Sequence, residues 1–123
     1  MLEPAKTVEL FHKHLDQKTF APGEVIFEDG QKADVMYGIM EGVVELFVNG
    51  QVVETIKKGD VFGEGALVHE EHTRASTAIA KTECKLAYLD QKRFLFVVQE
   101  TPLFALSVIR SYSNRLRKLK HSI

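Results

Sequence analysis

The chain has 123 residues, 45% of them hydrophobic and 27% charged, with a formal net charge of −1. That length suits one compact domain with a real core, and the charge balance leaves no global footprint for nucleic acid or an anionic membrane. A single cysteine, Cys84, excludes an internal disulfide, and no apolar run reaches the roughly 20 residues of a membrane-spanning helix. The N-terminal stretch MLEPAKTVELFHKHLDQ spreads Glu, Lys and His through its apolar positions, which a signal peptide does not. The expectation is one cytoplasmic domain over residues 1–123, with neither nucleic acid nor membrane as a partner.

In chain order, residues 4–16 predict a short helix with Val8, Phe11 and Leu15 on one face. The texture then changes. Short runs rich in Val, Ile, Phe and Tyr alternate with glycine-bearing turns, so residues 18–89 read as a β-barrel or sandwich. Ala21-Pro22-Gly23-Glu24 suits a type II turn, and Asn49-Gly50 between VELFV and QVVETI is a strong hairpin signal. Val44, Leu46 and Val48 alternate with Val43, Glu45 and Phe47, a partly two-sided apolar pattern that fits a sandwich or barrel wall. A last strand pair is predicted over 74–80 and 84–89, with Cys84 in the core. From Asp90 the period becomes helical. Asp90 is the expected N-cap of one helix, and Thr101-Pro102 caps and opens a second that runs to about residue 120. In the second helix Ala105, Ile109, Tyr112, Leu116 and Leu119 form a short heptad-like seam, which either packs on the barrel or joins two copies.

The stretch GDVFGEGALVHEEHTRASTA, residues 59–78, carries the chemistry. Phe62-Gly63-Glu64-Gly65-Ala66-Leu67 reads as one helical turn entered through glycine, whose first N–H groups suit an anion. Glu64 can accept hydrogen bonds from two neighbouring hydroxyls. Arg74 offers a planar donor fork for phosphate oxygens. An anion, a diol and a β-walled pocket together point to a nucleotide-like ligand.

The same stretch resembles the phosphate-binding cassette of the cyclic nucleotide-binding domain family, which includes bacterial cAMP receptor proteins and protein kinase A regulatory subunits. The matching residues are Phe62, Gly63, Glu64, Gly65, Ala66 and Leu67, followed by Arg74, Ala75, Ser76, Thr77 and Ala78. FAPGEVIFEDGQKADVMYGIMEGVVELF resembles the family's early strands, and the likeness covers about residues 5–120. It implies a mainly β fold with flanking helices. The barrel it implies is an eight-stranded, jelly-roll-like double-stranded β-helix with an N-terminal helix, a short cassette helix within 62–78 and a C-terminal helix pair. It implies that Glu64 binds the ribose 2′-hydroxyl and that Arg74 neutralises the cyclic phosphate, with the amides of Gly65, Ala66 and Ala75. Ala75 stands where cGMP-preferring members often carry Thr or Ser, which favours cAMP over cGMP. Gly65 departs from the family's apolar residue, at a helix cost of ~1 kcal/mol relative to Ala. The base cap falls at Leu119 or Lys120 in the family's register. A homodimer through the last helix and an effector protein are the implied partners, with no cofactor beyond the ligand and no enzyme chemistry. No DNA-binding or catalytic domain is recognisable in the sequence.

Other readings accompany this one. Glu64 and Arg74 alone would suit a surface ion pair. His69 and His72 in HEEH suggest a cupin-like metal site, but their spacing and the lack of a third ligand favour a solvated loop. The run Arg110, Arg115, Arg117, Lys118 and Lys120 fits the helix dipole at a C-terminus. The alternatives to a sensor are an interaction module of the same fold that binds no nucleotide, and the sensor fragment of a larger transcription regulator.

Overall fold

The computed structural model describes residues 3–12 and 17–122. A first helix, α1 (Pro4–Phe11), opens with Pro at its start, where a missing N–H is tolerated. It is shorter than the predicted 4–16, and Leu15 lies outside the described residues. Eight strands follow: β1 (Lys18–Phe20), β2 (Val25–Phe27), β3 (Val35–Glu41), β4 (Val43–Val48), β5 (Gln51–Lys57), β6 (Val61–Phe62), β7 (Thr77–Ala80) and β8 (Cys84–Asp90). Between β6 and β7 sits α2 (Gly65–Val68), and the chain closes with α3 (Gln91–Glu100) and α4 (Pro102–His121).

The strands form two four-stranded sheets, in the orders β1-β8-β3-β6 and β2-β7-β4-β5, with every pairing antiparallel. This is the expected jelly-roll-like barrel. Side-chain alternation builds its core. Val44 and Leu46 of β4 point in, and Phe27, Tyr37, Ile39, Phe62 and Leu86 meet them from the other strands. Asn49 and Gly50 both take positive φ, 51° and 76°, as a tight hairpin turn between β4 and β5 requires. Gly23 has φ 85°, in keeping with the predicted turn after Pro22. Cys84 is fully buried, and its Sγ donates to the Val43 carbonyl at 3.3 Å.

A second apolar cluster lies under the helices. Val8, Met36, Val61, Leu67, Val97 and Phe104 belong to it, so α1, α2, α3 and α4 all rest on the same side of the barrel. The Asp90 side chain accepts from the Arg93 amide at 2.8 Å and caps α3 as predicted. Thr101 makes no such side-chain bond, and α4 instead opens on its proline.

The inner face of α4 is not the predicted seam. Phe104, Ser107, Val108, Ser111 and Arg115 are buried against the barrel, whereas Ile109 and Leu116 are 62% and 52% exposed. Arg115, read from sequence as one of a basic run suited to the helix dipole, is buried: its Nε donates to Glu54 Oε1 at 2.8 Å and one Nη to the Val61 carbonyl at 2.8 Å. The Ser111 hydroxyl donates to Asp60 beside it. Polar residues won the inner face because each is satisfied: Ser107 by the Phe104 carbonyl one turn back, Ser111 and Arg115 by partners on β5, β6 or the turn between them. Among the described residues, no single helix is long and apolar enough to cross a membrane.

Candidate functional site

A cavity of about 770 Å³ lies between the cassette 62–78, the barrel wall and α4. Gly63, Glu64, Gly65, Ala66, Arg74, Ala75 and Ser76 all line it, which brings the sequence-predicted polar residues to one place. Phe62 does not line it. That ring is fully buried in the barrel core, stacked 5.4 Å from Tyr37 between ring centres, so it supports the cassette from behind. Leu119 and Lys120, predicted at the base, are not among the lining residues. α4 instead supplies Ile109, Tyr112, Ser113, Arg115 and Leu116, the turns before them.

The cassette is shaped by its glycine. Gly63 takes φ 85°, and a Cβ there would stand 2.7 Å from an Arg74 nitrogen, so both the turn and the arginine exclude a side chain. Its carbonyl then accepts from Arg74 Nη1 at 2.8 Å. Gly65 and Ala66 supply the first amides of α2, which a helix leaves without internal acceptors. At Gly65 a Cβ would meet only His69 at an ordinary 3.7 Å, so this glycine is not sterically required.

Glu64 and Arg74 are each only 4% exposed, yet they are not paired with each other. Arg74 Nη2 donates to the Val35 carbonyl at 2.8 Å, and its guanidinium lies 4.1 Å from the centre of the Phe27 ring. Its Nε has no hydrogen-bond partner among the described residues, and neither has Glu64 Oε1. The other carboxylate oxygen accepts from the Tyr112 hydroxyl of α4. Two opposite charges are thus held out of water, each with one polar atom unsatisfied.

The electrostatics carry the same mark. Burial raises the Glu64 carboxyl above its ordinary value, a shift that the Tyr112 bond and the Arg115 charge only oppose. Burial lowers Arg74. Tyr112 is pushed up by burial and by the Glu64 charge, so its hydroxyl stays a donor. Burial pulls Arg115 down, but Tyr112, Glu54 and Glu64 outweigh it and the net shift is upward.

Sequence reasoning missed Tyr112 and Arg115 as site residues. Tyr112 was placed in the seam and Arg115 in the basic run, yet the guanidinium of Arg115 lies 4.1 Å from the Tyr112 ring centre at the cavity wall. A signal was present. Ser107, Ser111 and Arg115 recur every four residues, a polar row that in a packed helix asks for buried partners. His72, read as part of a solvated loop, is half-buried with its Nδ1 2.8 Å from the Ala66 carbonyl. Among the described residues, no three His, Cys, Asp or Glu side chains are placed to hold a metal ion.

This arrangement defines a class, and comparison with known proteins agrees. The cyclic nucleotide-binding domain family matches residues 17–101, and the chain belongs to that family. It is 24% identical over 122 residues to the cAMP-activated global transcriptional regulator of Pasteurella multocida, covering 95% of this chain and 58% of that protein. It is 37% identical over 86 residues to the cAMP-dependent protein kinase regulatory subunit of Candida albicans, covering 70% of this chain and 18% of the subunit. Each of these relatives is therefore spanned for less than two thirds of its length. In fold, the chain superposes on the c-di-GMP responsive global regulator of Xanthomonas campestris with a TM-score of 0.83, at 23% identity, covering 95% of this chain and 61% of the other.

The raised Glu64 pKa makes a testable statement about stability. A carboxyl raised on folding binds its proton more tightly in the native state. The resulting stability is present below the ordinary value of 4.5 and is lost as pH rises through the raised one. Glu64→Gln removes that loss while leaving an acceptor for Tyr112. Urea denaturation should find the variant more stable than the parent at pH 7, by on the order of 1 kcal/mol. The difference should close as pH falls to 4.5. A difference that does not change with pH would contradict a strained carboxylate.

Proposed function

We propose that the chain is a reversible cyclic-nucleotide sensor that prefers cAMP to cGMP. One observation carries this: two buried, opposite charges line one cavity without pairing, and each keeps one polar atom unpartnered. A cyclic nucleotide matches both. Its ribose 2′-hydroxyl donates to Glu64 Oε1, and its cyclic phosphate takes Arg74 Nε with the amides of Gly65, Ala66 and Ala75. A charge-assisted bond of this kind contributes roughly 1.5–3 kcal/mol net. Membership of the family, and relatives named for cAMP, favour the same ligand.

At the base end the support lies with Tyr112 rather than Leu119 or Lys120. Tyr112 lines the cavity and its hydroxyl already reaches Glu64, so the residue that covers the base also senses the carboxylate that binds the ribose. Ligand binding orders the glycine-entered cassette and re-seats α3 and α4, a shift limited by the ligand's differential affinity for the two arrangements. The domain is regulatory rather than catalytic in this reading, and it acts in the cytoplasm by repositioning α4 against an effector protein. The exposed seam of Ile109, Leu116 and Leu119 fits a homodimer through α4.

Calorimetric titration of protein unfolded and refolded to strip carried-over ligand tests the ligand. cAMP should bind at micromolar affinity or better, cGMP more weakly, and Arg74→Ala should lose both. Ala75→Thr should narrow the gap by restoring a hydroxyl for guanine. No heat from either nucleotide would end the reading. Light scattering tests the assembly: the parent should weigh two chains, and Leu119→Asp, outside the cavity, should weigh one. A monomeric parent would remove the dimer.

A further inference from the structure

His72 has a backbone that an L residue rarely adopts. Its φ is 52°, and among the described residues Asn49 in the hairpin turn is the other non-glycine with positive φ. Such a conformation costs roughly 1–2 kcal/mol without glycine, so something must hold it. The ring supplies the hold. A carbonyl only accepts, so Nδ1 carries the hydrogen and donates at 2.8 Å to the carbonyl of Ala66, the second residue of the four-residue α2.

The backbone around His72 is tied on both sides: its amide donates to His69 O at 3.3 Å, just past α2. Its carbonyl accepts from the Ala33 amide at 2.9 Å. Two residues on, the Arg74 amide donates to Gln31 O at 2.9 Å, and Arg74 O accepts from the Gly30 amide at 2.8 Å. Residues 72–74 are thereby strapped to the loop between β2 and β3, and the His72 ring reaches from that strap across to α2. His72 itself does not line the cavity.

We infer that His72 is a positioning residue: through Ala66 it sets the amides of α2 at a fixed distance from the Arg74 guanidinium, so that both meet one anion. The inference rests on the nucleotide reading for the identity of that anion. A short helix cannot hold its own register, because one turn is costly to nucleate and has few internal bonds. An external donor on its carbonyl is what keeps it formed before any ligand arrives.

Two substitutions separate the ring's bond from the backbone it sits on. Asn tolerates positive φ and places a side-chain N–H on the atom bonded to Cγ, as the histidine Nδ1 is. Gly tolerates the same φ and donates nothing. In nucleotide-free protein, amide exchange at Leu67, Val68 and His69, whose N–H groups bond to Glu64 O and Gly65 O, should quicken about five- to tenfold in His72→Gly and stay at the parent rate in His72→Asn. cAMP affinity should fall about five- to tenfold in His72→Gly and be restored by His72→Asn. A glycine variant matching the parent in exchange, or an asparagine variant as loose as glycine, would overturn the role. If the parent itself binds no nucleotide, the ligand reading falls, and the exchange rates alone still decide the role of His72.

Discussion

Glu64 and Arg74 are held out of water within one cavity and do not neutralise each other. Burying an unpaired charge is among the costliest things a fold can do, and the rest of the site is arranged around tolerating it. Arg74 spreads its charge over two backbone carbonyls, Gly63 and Val35, and over the face of Phe27. Glu64 leans on the Tyr112 hydroxyl and on the nearby Arg115 charge. A bond between the two charges would stabilise the fold more simply. Its absence keeps both available to a third party.

The same constraint explains why α4 has a polar inner face. Arg115 bonds Glu54 of β5 and the Val61 carbonyl of β6, while Ser111 bonds Asp60 in the turn between them. These bonds fix the middle of α4 on the barrel, and Tyr112, one residue from Ser111, is thereby aimed at Glu64. Tyr112 thereby joins the carboxylate to α4, whose neighbouring apolar residues Ile109 and Leu116 line the same cavity and are largely exposed. Below, Leu67 of the cassette shares a core cluster with Val97, Phe104 and Val108, a second contact between the site and the closing helices. Site and helices are coupled by packing and by hydrogen bonds at once.

Much of this was legible in the sequence, for local reasons. Alternation in 43–48, the Asn49-Gly50 turn and the Asp90 cap are short-range signals, and each appears in the structure where the residues put it. The cassette residues were legible through the family resemblance, and the structure gathers Glu64 and Arg74 at one cavity. What was not legible depended on long-range partners. Arg115 looks solvated until Glu54, 61 positions away, is brought beside it. The seam of α4 and its buried face are both plausible inner faces by period alone, and the polar groups on the barrel decide between them. Phe62 stands inside the cassette motif, but its ring faces the core, because successive side chains of a strand point to opposite faces.

A crystal structure of the chain grown with cAMP would test the central claim most directly. The account predicts a phosphate oxygen within hydrogen-bond distance of Arg74 Nε and the ribose 2′-hydroxyl on Glu64 Oε1, the two atoms that the protein leaves unpartnered. A nucleotide seated elsewhere, with those two atoms still unsatisfied or turned toward each other as an ion pair, would contradict it.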